Sequence, residues 1–224
     1  PEVPLDIADV STRAIQGRFE YIQTDEAYIT NGLFLSGVSE KYSMSYVTFE
    51  LGRMFGLAQL SRLSWLVENN QSQFQYTGIY DFMSYETPYD SRYGDNREML
   101  GWQRYLLGWM NEENIRCVNP NVPSETIHEL SPIHTDDGKA KMIVLPYNSH
   151  QSLVTEMKSE NEFCAVCEGG IYTYLVDTNY GSGHGPIRII RPNHSRDRLL
   201  KDAFISLGET LIYHDVRIEF IENH

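Results

Sequence analysis

The sequence predicts an α+β protein in which a helix-bearing N-terminal part precedes an all-β, sandwich-like C-terminal part. Three observations carry that prediction. Two segments before Cys117 repeat apolar residues at helical spacing. From Lys141 onward the apolar residues fall almost wholly in short runs separated by Gly, Asn and Pro. Between these parts lies a stretch with three of the nine prolines and no apolar period, Asn119-Pro120-Asn121-Val122-Pro123 through Ser131-Pro132 to Asp136-Asp137-Gly138. The chain of 224 residues therefore divides into 1–118, an extended linker at 119–140, and 141–224.

In the first part, Arg18 to Ile22 and Leu33 to Val38 have the composition of strands. Ser45 to Leu57 reads as a helix, because Tyr46, Phe49, Arg53 and Leu57 share one face at near i, i+4 intervals, and Gly56 would end it. A second helix is expected from a cap at Asp95 or Asn96 through Met99, Trp102, Tyr105 and Leu106, with Gly108 as its stop. In the last part, Lys141 to Leu145, Ser152 to Met157, Gly170 to Val176, Ile187 to Ile190, Thr210 to Tyr213 and Val216 to Ile221 supply about six strands at spacings suited to a sandwich.

Composition excludes several function classes. With 41% hydrophobic and 22% charged residues the values are those of a globular chain, and no apolar run approaches the ~20 residues of a bilayer-crossing helix. A net charge of -13 repels phosphate backbones, so nucleic acid is not an expected partner. The chain opens at Pro1 with no basic-then-apolar leader, so any secretory signal would already have been removed. Two glycosylation-type triplets, Asn70-Gln71-Ser72 and Asn193-His194-Ser195, fit an extracellular protein. Cys164 and Cys167 form a lone C-x-x-C pair and Cys117 stands apart; buried thiols or one disulfide are expected rather than zinc.

The segment that bears on chemistry is Thr48-Phe49-Glu50-Leu51-Gly52-Arg53-Met54-Phe55-Gly56-Leu57. In H-E-x-x-H proteins two histidines four apart offer both imidazoles to zinc from one helical face, and the intervening Glu polarises the attacking water. Here Phe49 and Arg53 hold those positions and Glu50 remains. In the extended pattern a Gly and then a third ligand follow; Gly56 is present and Gln59 stands in the ligand place. Downstream, Gly78-Ile79-Tyr80-Asp81-Phe82-Met83-Ser84-Tyr85 has the character of a Met-turn, with Met83 as its methionine. Leu100-Gly101-Trp102-Gln103-Arg104-Tyr105-Leu106-Leu107-Gly108-Trp109 follows.

Together these segments resemble the immune inhibitor A family of secreted bacterial zinc metallopeptidases. Tyr174-Leu175-Val176-Asp177-Thr178 and Gly183-His184-Gly185-Pro186-Ile187 extend the likeness, which runs from about Leu33 to Ile221. The resemblance implies a reduced zincin/metzincin-like domain followed by a β-rich domain. It also marks the departure: Phe49 has no donor atom, Arg53 is permanently cationic, and Gln59 alone is a poor ligand. A guanidinium ~4 Å from a dication at an effective dielectric of ~20 opposes binding by roughly 8 kcal/mol. Zinc is therefore not expected, and Glu50 is read as vestigial, engaged in an ion pair or hydrogen bond rather than in catalysis. Only 48 residues precede Phe49, shorter than the family's sheet-bearing segment, so either the domain is reduced or the chain is a processed piece whose missing strands come from elsewhere. An incomplete sheet would leave an open edge, and a protein partner or self-assembly is expected.

Other candidates are weaker. Asp90, Asp95 and Glu98, with Asn96, would offer oxygen ligands to calcium, although the spacing is not that of an EF-hand and a capped helix start explains it as well. No other cofactor is implied. The Gly-rich run Asp177 to Gly185 has no phosphate-loop Lys and reads as a loop between strands. The seven histidines, His128, His134, His150, His184, His194, His214 and His224, form no i, i+4 pair on an expected helix. Tyr76, Tyr80, Tyr85, Tyr89 and Tyr93 are candidate exposed tyrosines for protein contact, and equally ordinary as core-edge residues. The function expected is that of a catalytically inactive metallopeptidase homologue, an extracellular structural, adhesive or protein-binding module. The alternative is an active secreted zinc metallopeptidase with an atypical or partner-completed metal site.

Overall fold

The computed structural model describes residues 13–23, 28–36, 44–60, 77, 80–84, 98–122, 125–159, 170–192 and 203–221, with backbone alone for 13–23, 28–36, 44–47 and 50. The architecture is mixed: few helices, and strands gathered into one five-stranded and two two-stranded sheets.

Strands β1 (Arg13–Gln23) and β2 (Tyr28–Ser36) pair antiparallel, with a register shift between Arg18 and Ile22. Helix α1 (Met44–Met54) lies against both. It stops where expected: Gly56 takes φ 89°, a conformation costly for any residue with a Cβ, and Leu57 N then donates back to the Gly52 carbonyl at 2.9 Å.

Helix α2 (Gly101–Leu106) is shorter than the sequence suggests. Its N-cap is Leu100, not Asp95 or Asn96, which lie outside the described residues, and Met99 precedes the helix in irregular backbone. The reason is tertiary: Met99 and Leu100 are buried, and the first amides of α2 are taken by carboxylates from elsewhere in the chain rather than by a local cap. A 3₁₀ turn (Glu112–Asn114) then leads into β3 (Ile115–Cys117).

The larger sheet runs in the order β3-β4-β5-β6-β7, with β4 (Met142–Pro146), β5 (Gln151–Lys158), β6 (Gly170–Asp177) and β7 (Ile187–Ile190). All pairs are antiparallel except β3 with β4, which is parallel. The hairpin β8 (Thr210–Tyr213) and β9 (Val216–Glu219) completes the strands. These six strands from β4 to β9 coincide with the runs read from the sequence; β3 does not, since three residues are too few to show a period.

Strand β6 is buried at every position, so the sheet is covered on both faces. One face, bearing Met142, Val144, Val154, Tyr172, Tyr174 and Ile189, receives Phe49, Leu57, Leu60, Tyr80, Met83 and Leu100 in a single apolar cluster. Residues from both sides of 119–140 therefore share one core. The other face meets the hairpin through Ile171, Ile205 and Leu211, and an isolated bridge joins Ile171 to Ile205.

Part of the connecting segment is pinned to the sheet by one cation. Lys141 Nζ, nearly buried, donates to Thr135 Oγ1 at 2.6 Å, Asp137 Oδ1 at 2.6 Å, Ser131 Oγ at 2.7 Å and the Pro132 carbonyl at 3.3 Å. The Lys141 ammonium, with the Lys139 amide, holds the Asp137 carboxyl well below the usual range. Lys141→Met keeps the stem and removes the charge. It is expected to lower the urea midpoint at pH 7, and Asp137→Asn to do so less, because three neutral oxygens then still hold the ammonium; equilibrium unfolding of both variants checks this.

Candidate functional site

The helix face that raised the question of zinc is filled by the core. Phe49 is 3% exposed and belongs to the main apolar cluster. The Arg53 guanidinium sits 5.8 Å from the centre of its ring, a cation–π contact that orients a half-buried charge. Glu50 lies on α1, its side chain outside the described residues. Gln59 is half-buried, and its backbone is tied to the loop after β6: Gly183 N donates to its carbonyl at 2.8 Å, and its own amide donates to Ser182 Oγ at 2.9 Å.

Met83 is fully buried directly beneath this helix. A Cβ built on Gly52 would stand 2.4 Å from Met83 Sδ, so a larger residue there would force the Met83 side chain to shift within the core. The turn that delivers Met83 is held by Asp81, whose Oδ1 accepts from Met83 N at 2.6 Å. Leu60 N donates to the Met83 carbonyl at 2.9 Å, and the hydroxyls of Thr77 and Ser84 bond to one another across the turn.

Asp81 also reaches the second helix. Its Oδ2 accepts from Leu100 N at 2.7 Å, and the Gln103 amide nitrogen, in the orientation that satisfies both groups, donates to Oδ2 at 2.7 Å and Oδ1 at 3.0 Å. One carboxylate thus fixes the Met83 turn and the start of α2 together, satisfying amides that a helix cannot satisfy itself.

A second buried carboxylate does the same from the sheet. Glu156 Oε2 accepts from Gly101 N at 2.8 Å and Tyr174 OH at 2.9 Å, and Oε1 accepts from Tyr172 OH. Tyr174 OH in turn accepts from Trp102 N at 3.1 Å. A Cβ on Gly101 would lie 2.6 Å from Glu156 Oε2, so a larger residue there would displace the carboxylate from its donors. Two residues on along β5, and so on the same face, Lys158 is fully buried. Its Nζ donates to the Tyr80 carbonyl at 3.0 Å, faces the Tyr172 ring at 5.6 Å and lies 3.8 Å from Glu98 Oε2. Glu98 Oε1 meets Arg104 at 3.5 Å and His134 at 3.4 Å.

Burial dominates the electrostatics. It pushes the Glu156 carboxyl up to about 7, against the opposing pull of Lys158 and the Gly101 amide. It lowers the Lys158 ammonium, against Glu156, Glu98 and Asp81. It raises the Tyr174 phenol well above its usual range, assisted by Glu156. Nothing in this network leaves a nucleophile facing solvent; its chemistry is the sharing of protons and charge inside the core.

The sequence reading meets this site unevenly. Phe49, Arg53, Gln59 and Met83 are brought near one another, around α1 and the turn below it. Asp90 and Asp95 lie outside the described residues, and Glu98 is turned inward to Lys158, Arg104 and His134. Among the described residues no group of three or more His, Cys, Asp or Glu side chains could hold a metal ion. Tyr80, read as a candidate exposed tyrosine, is instead fully buried, stacked on Tyr172 with ring centres 5.6 Å apart; the other four lie outside the described residues. Cys117, the cysteine left over from the C-x-x-C pair, has a free thiol and is exposed on the edge strand β3; Cys164 and Cys167 lie outside the described residues, as do both glycosylation-type triplets. Glu156 and Lys158 were missed. Their signal was present, since both fall in phase with buried Val154 along a strand.

No family model, curated protein or solved structure matches this chain. No helix among the described residues is long and apolar enough to cross a membrane.

Two measurements follow from this geometry. Because Glu156 binds its proton more tightly folded than unfolded, its contribution weakens the fold as pH rises from about 4.5 to about 7, by up to ~3 kcal/mol. Lys158, lowered in the fold, acts in the opposite sense, adding stability as pH rises through its folded value toward 10.5. Glu156→Gln is expected to flatten the stability profile between pH 4.5 and 7, read from urea midpoints. Separately, Gly52→Ala should cost about 1–3 kcal/mol by overpacking Met83, and far less in a Met83→Ala background, where the clash is gone; a double-mutant cycle measures that coupling.

Proposed function

We propose that this chain is a catalytically inactive relative of the immune inhibitor A metallopeptidases, a reduced zincin/metzincin-like unit joined to a β-sandwich-like one, working outside the cell as a structural, adhesive or binding module. The observation that carries this reading is the state of the ligand face. Where imidazoles would stand, Phe49 is 3% exposed in the core and Arg53 covers its ring with a fixed positive charge. A dication has neither donors nor a favourable field at that face.

Two further features support the ancestry. Met83 packs beneath Gly52 of α1, the relation expected of a Met-turn under a zinc-site helix. The hairpin β8–β9 layers onto one face of the five-stranded sheet, which suits a sandwich-like unit. With the ligand face filled, what remains for function is surface, and self-assembly or a protein or other extracellular ligand is the natural partner.

Purified protein dialysed against zinc and analysed for bound metal is expected to hold well under one equivalent, and casein is expected to stay intact with and without chelator. Stoichiometric zinc together with chelator-sensitive cleavage would overturn the reading and favour an active peptidase with an atypical metal site.

A further inference from the structure

Three loops meet at one end of the five-stranded sheet. The β4–β5 loop runs Tyr147-Asn148-Ser149-His150, the β6–β7 loop includes Thr178 to Gly185, and the β8–β9 turn is made by His214 and Asp215 beside Tyr213. Hydrogen bonds lock the first two together: Thr178 N donates to the His150 carbonyl at 2.9 Å and Gln151 Nε2 donates to Asp177 Oδ2 at 2.7 Å. Asn148 Oδ1 accepts from both His150 N at 2.8 Å and Gln151 N at 2.9 Å, which rigidifies the first loop from within.

The third loop is joined to the first by aromatic rings. His214 is stacked on Tyr147 with centres 5.8 Å apart and meets Tyr213 edge-on at 4.5 Å; Tyr147 and Tyr213 are 6.3 Å apart. His214 holds this place at φ 53°, among the described residues the one non-glycine with positive φ. Nearby on the β6–β7 loop, Tyr180 is fixed by the Arg188 guanidinium 4.3 Å from its ring centre, and Arg188 Nε is itself bonded to the Gly185 carbonyl at 2.9 Å. Despite these contacts Tyr147 remains 37% and Tyr180 44% exposed.

The chemistry of the three loops is uniform. Residues 147–150, 178–185 and 213–215 are Tyr, His, Asn, Ser, Thr and Gly with Asp215 as the single charged residue, and Asp177 and Arg188 border them with their polar groups already bonded. Such residues give contact area and hydrogen bonding at low entropic cost, as in loops built for recognition. We infer that this end of the sheet is a binding site for a neutral oligosaccharide, whose apolar C–H face rests on the exposed rings while its hydroxyls meet the neutral amide and hydroxyl groups around them.

Charge and size select that ligand. A chain of net charge -13 disfavours acidic glycans and phosphates, and the charges bordering the loops are already engaged. Asp177 accepts from Gln151 Nε2 and Asn179 N, and Arg188 lies over Tyr180 and donates to the Gly185 carbonyl, which leaves Asp215 as the carboxylate of the loops themselves. Each partly exposed ring offers on the order of 100 Å², so the patch amounts to a few hundred Å², short of the ~800 Å² per side of a stable protein interface. It matches a short saccharide, and the pinned loops reduce the ordering cost of binding one.

This site deepens the reading of a non-catalytic extracellular module and rests on it. The test is an amide-resolved NMR titration of the full chain with cellotetraose, chitotetraose and maltotetraose, with a heparin tetrasaccharide and an oligolysine peptide as charged comparisons. At least one neutral oligosaccharide is expected to shift amides of residues 147–150, 178–185 and 213–215, with a Kd between about 10 μM and 1 mM. Tyr147→Ala should weaken binding at least tenfold. His214→Gly should do the same while relieving the backbone, and Tyr105→Ala on α2 should leave binding unchanged. Absence of shifts with every neutral oligosaccharide at about 10 mM, binding of a charged ligand alone, or wild-type affinity in His214→Gly would overturn the site. Chelator-sensitive casein cleavage with saccharide binding intact would sink the non-catalytic reading alone, and inert casein without saccharide binding the site alone.

Discussion

A carboxylate on the inner face of the sheet organises the described core. Glu156 is fully buried, and ionised it would be costly to keep there without donors. It therefore gathers Gly101 N and the hydroxyls of Tyr172 and Tyr174, and those three bonds fix where α2 begins and how close it comes to β5. The side-chain period of two gives the arrangement its specificity: a slip of one residue in β5 would turn Thr155 and Met157 inward and leave the amide and both phenols without their acceptor. Lys158, carried inward by the same alternation, faces Glu98 and adds its hydrogen bond to Tyr80. Removing the Lys158 ammonium would leave Glu98 its contacts with Arg104 and His134 but strip the Tyr80 carbonyl of that buried donor.

The Met83 turn shows how the N-terminal helix is joined to that core. Asp81 bonds to Met83 N, to Leu100 N and to the Gln103 amide, so the turn and α2 are positioned by one side chain, and α1 rests on that turn where Gly52 meets Met83. Gly52 and Gly101 mark the two places where backbone had to come within contact distance of Met83 and Glu156. Phe49 and Arg53 then close the helix face with a ring and a cation, and the loop carrying Ser182 and Gly183 is bonded to Gln59 behind it. That face is closed by packing and by the cation over the ring.

How much of this was legible follows from the range of each interaction. The strands β4 to β9 were readable because alternation and turn residues are local signals. The end of α1 was readable because a glycine stop depends on one residue's backbone freedom. The start of α2 was not, since Asp81 and Glu156 replace a local cap from 19 and 55 residues away. Tyr80 could be read as exposed for the same reason: what buries it, Tyr172 of β6 and Phe204 beside the Ile205 bridge, lies far along the chain.

The sequence by itself determined the residue types along the Phe49–Arg53 face of α1, the net charge of -13 and the strand-rich second half, because these are properties of composition and of periods spanning a few residues. Tertiary structure decided the rest: that Glu156 and Lys158 share a buried face with Asp81 and Glu98, that Met83 meets Gly52, and that Tyr147, Tyr213 and His214 form one aromatic group. Each of those pairings closes a long loop, and chain closure is set by the summed packing of many distant residues, which no short window of sequence contains.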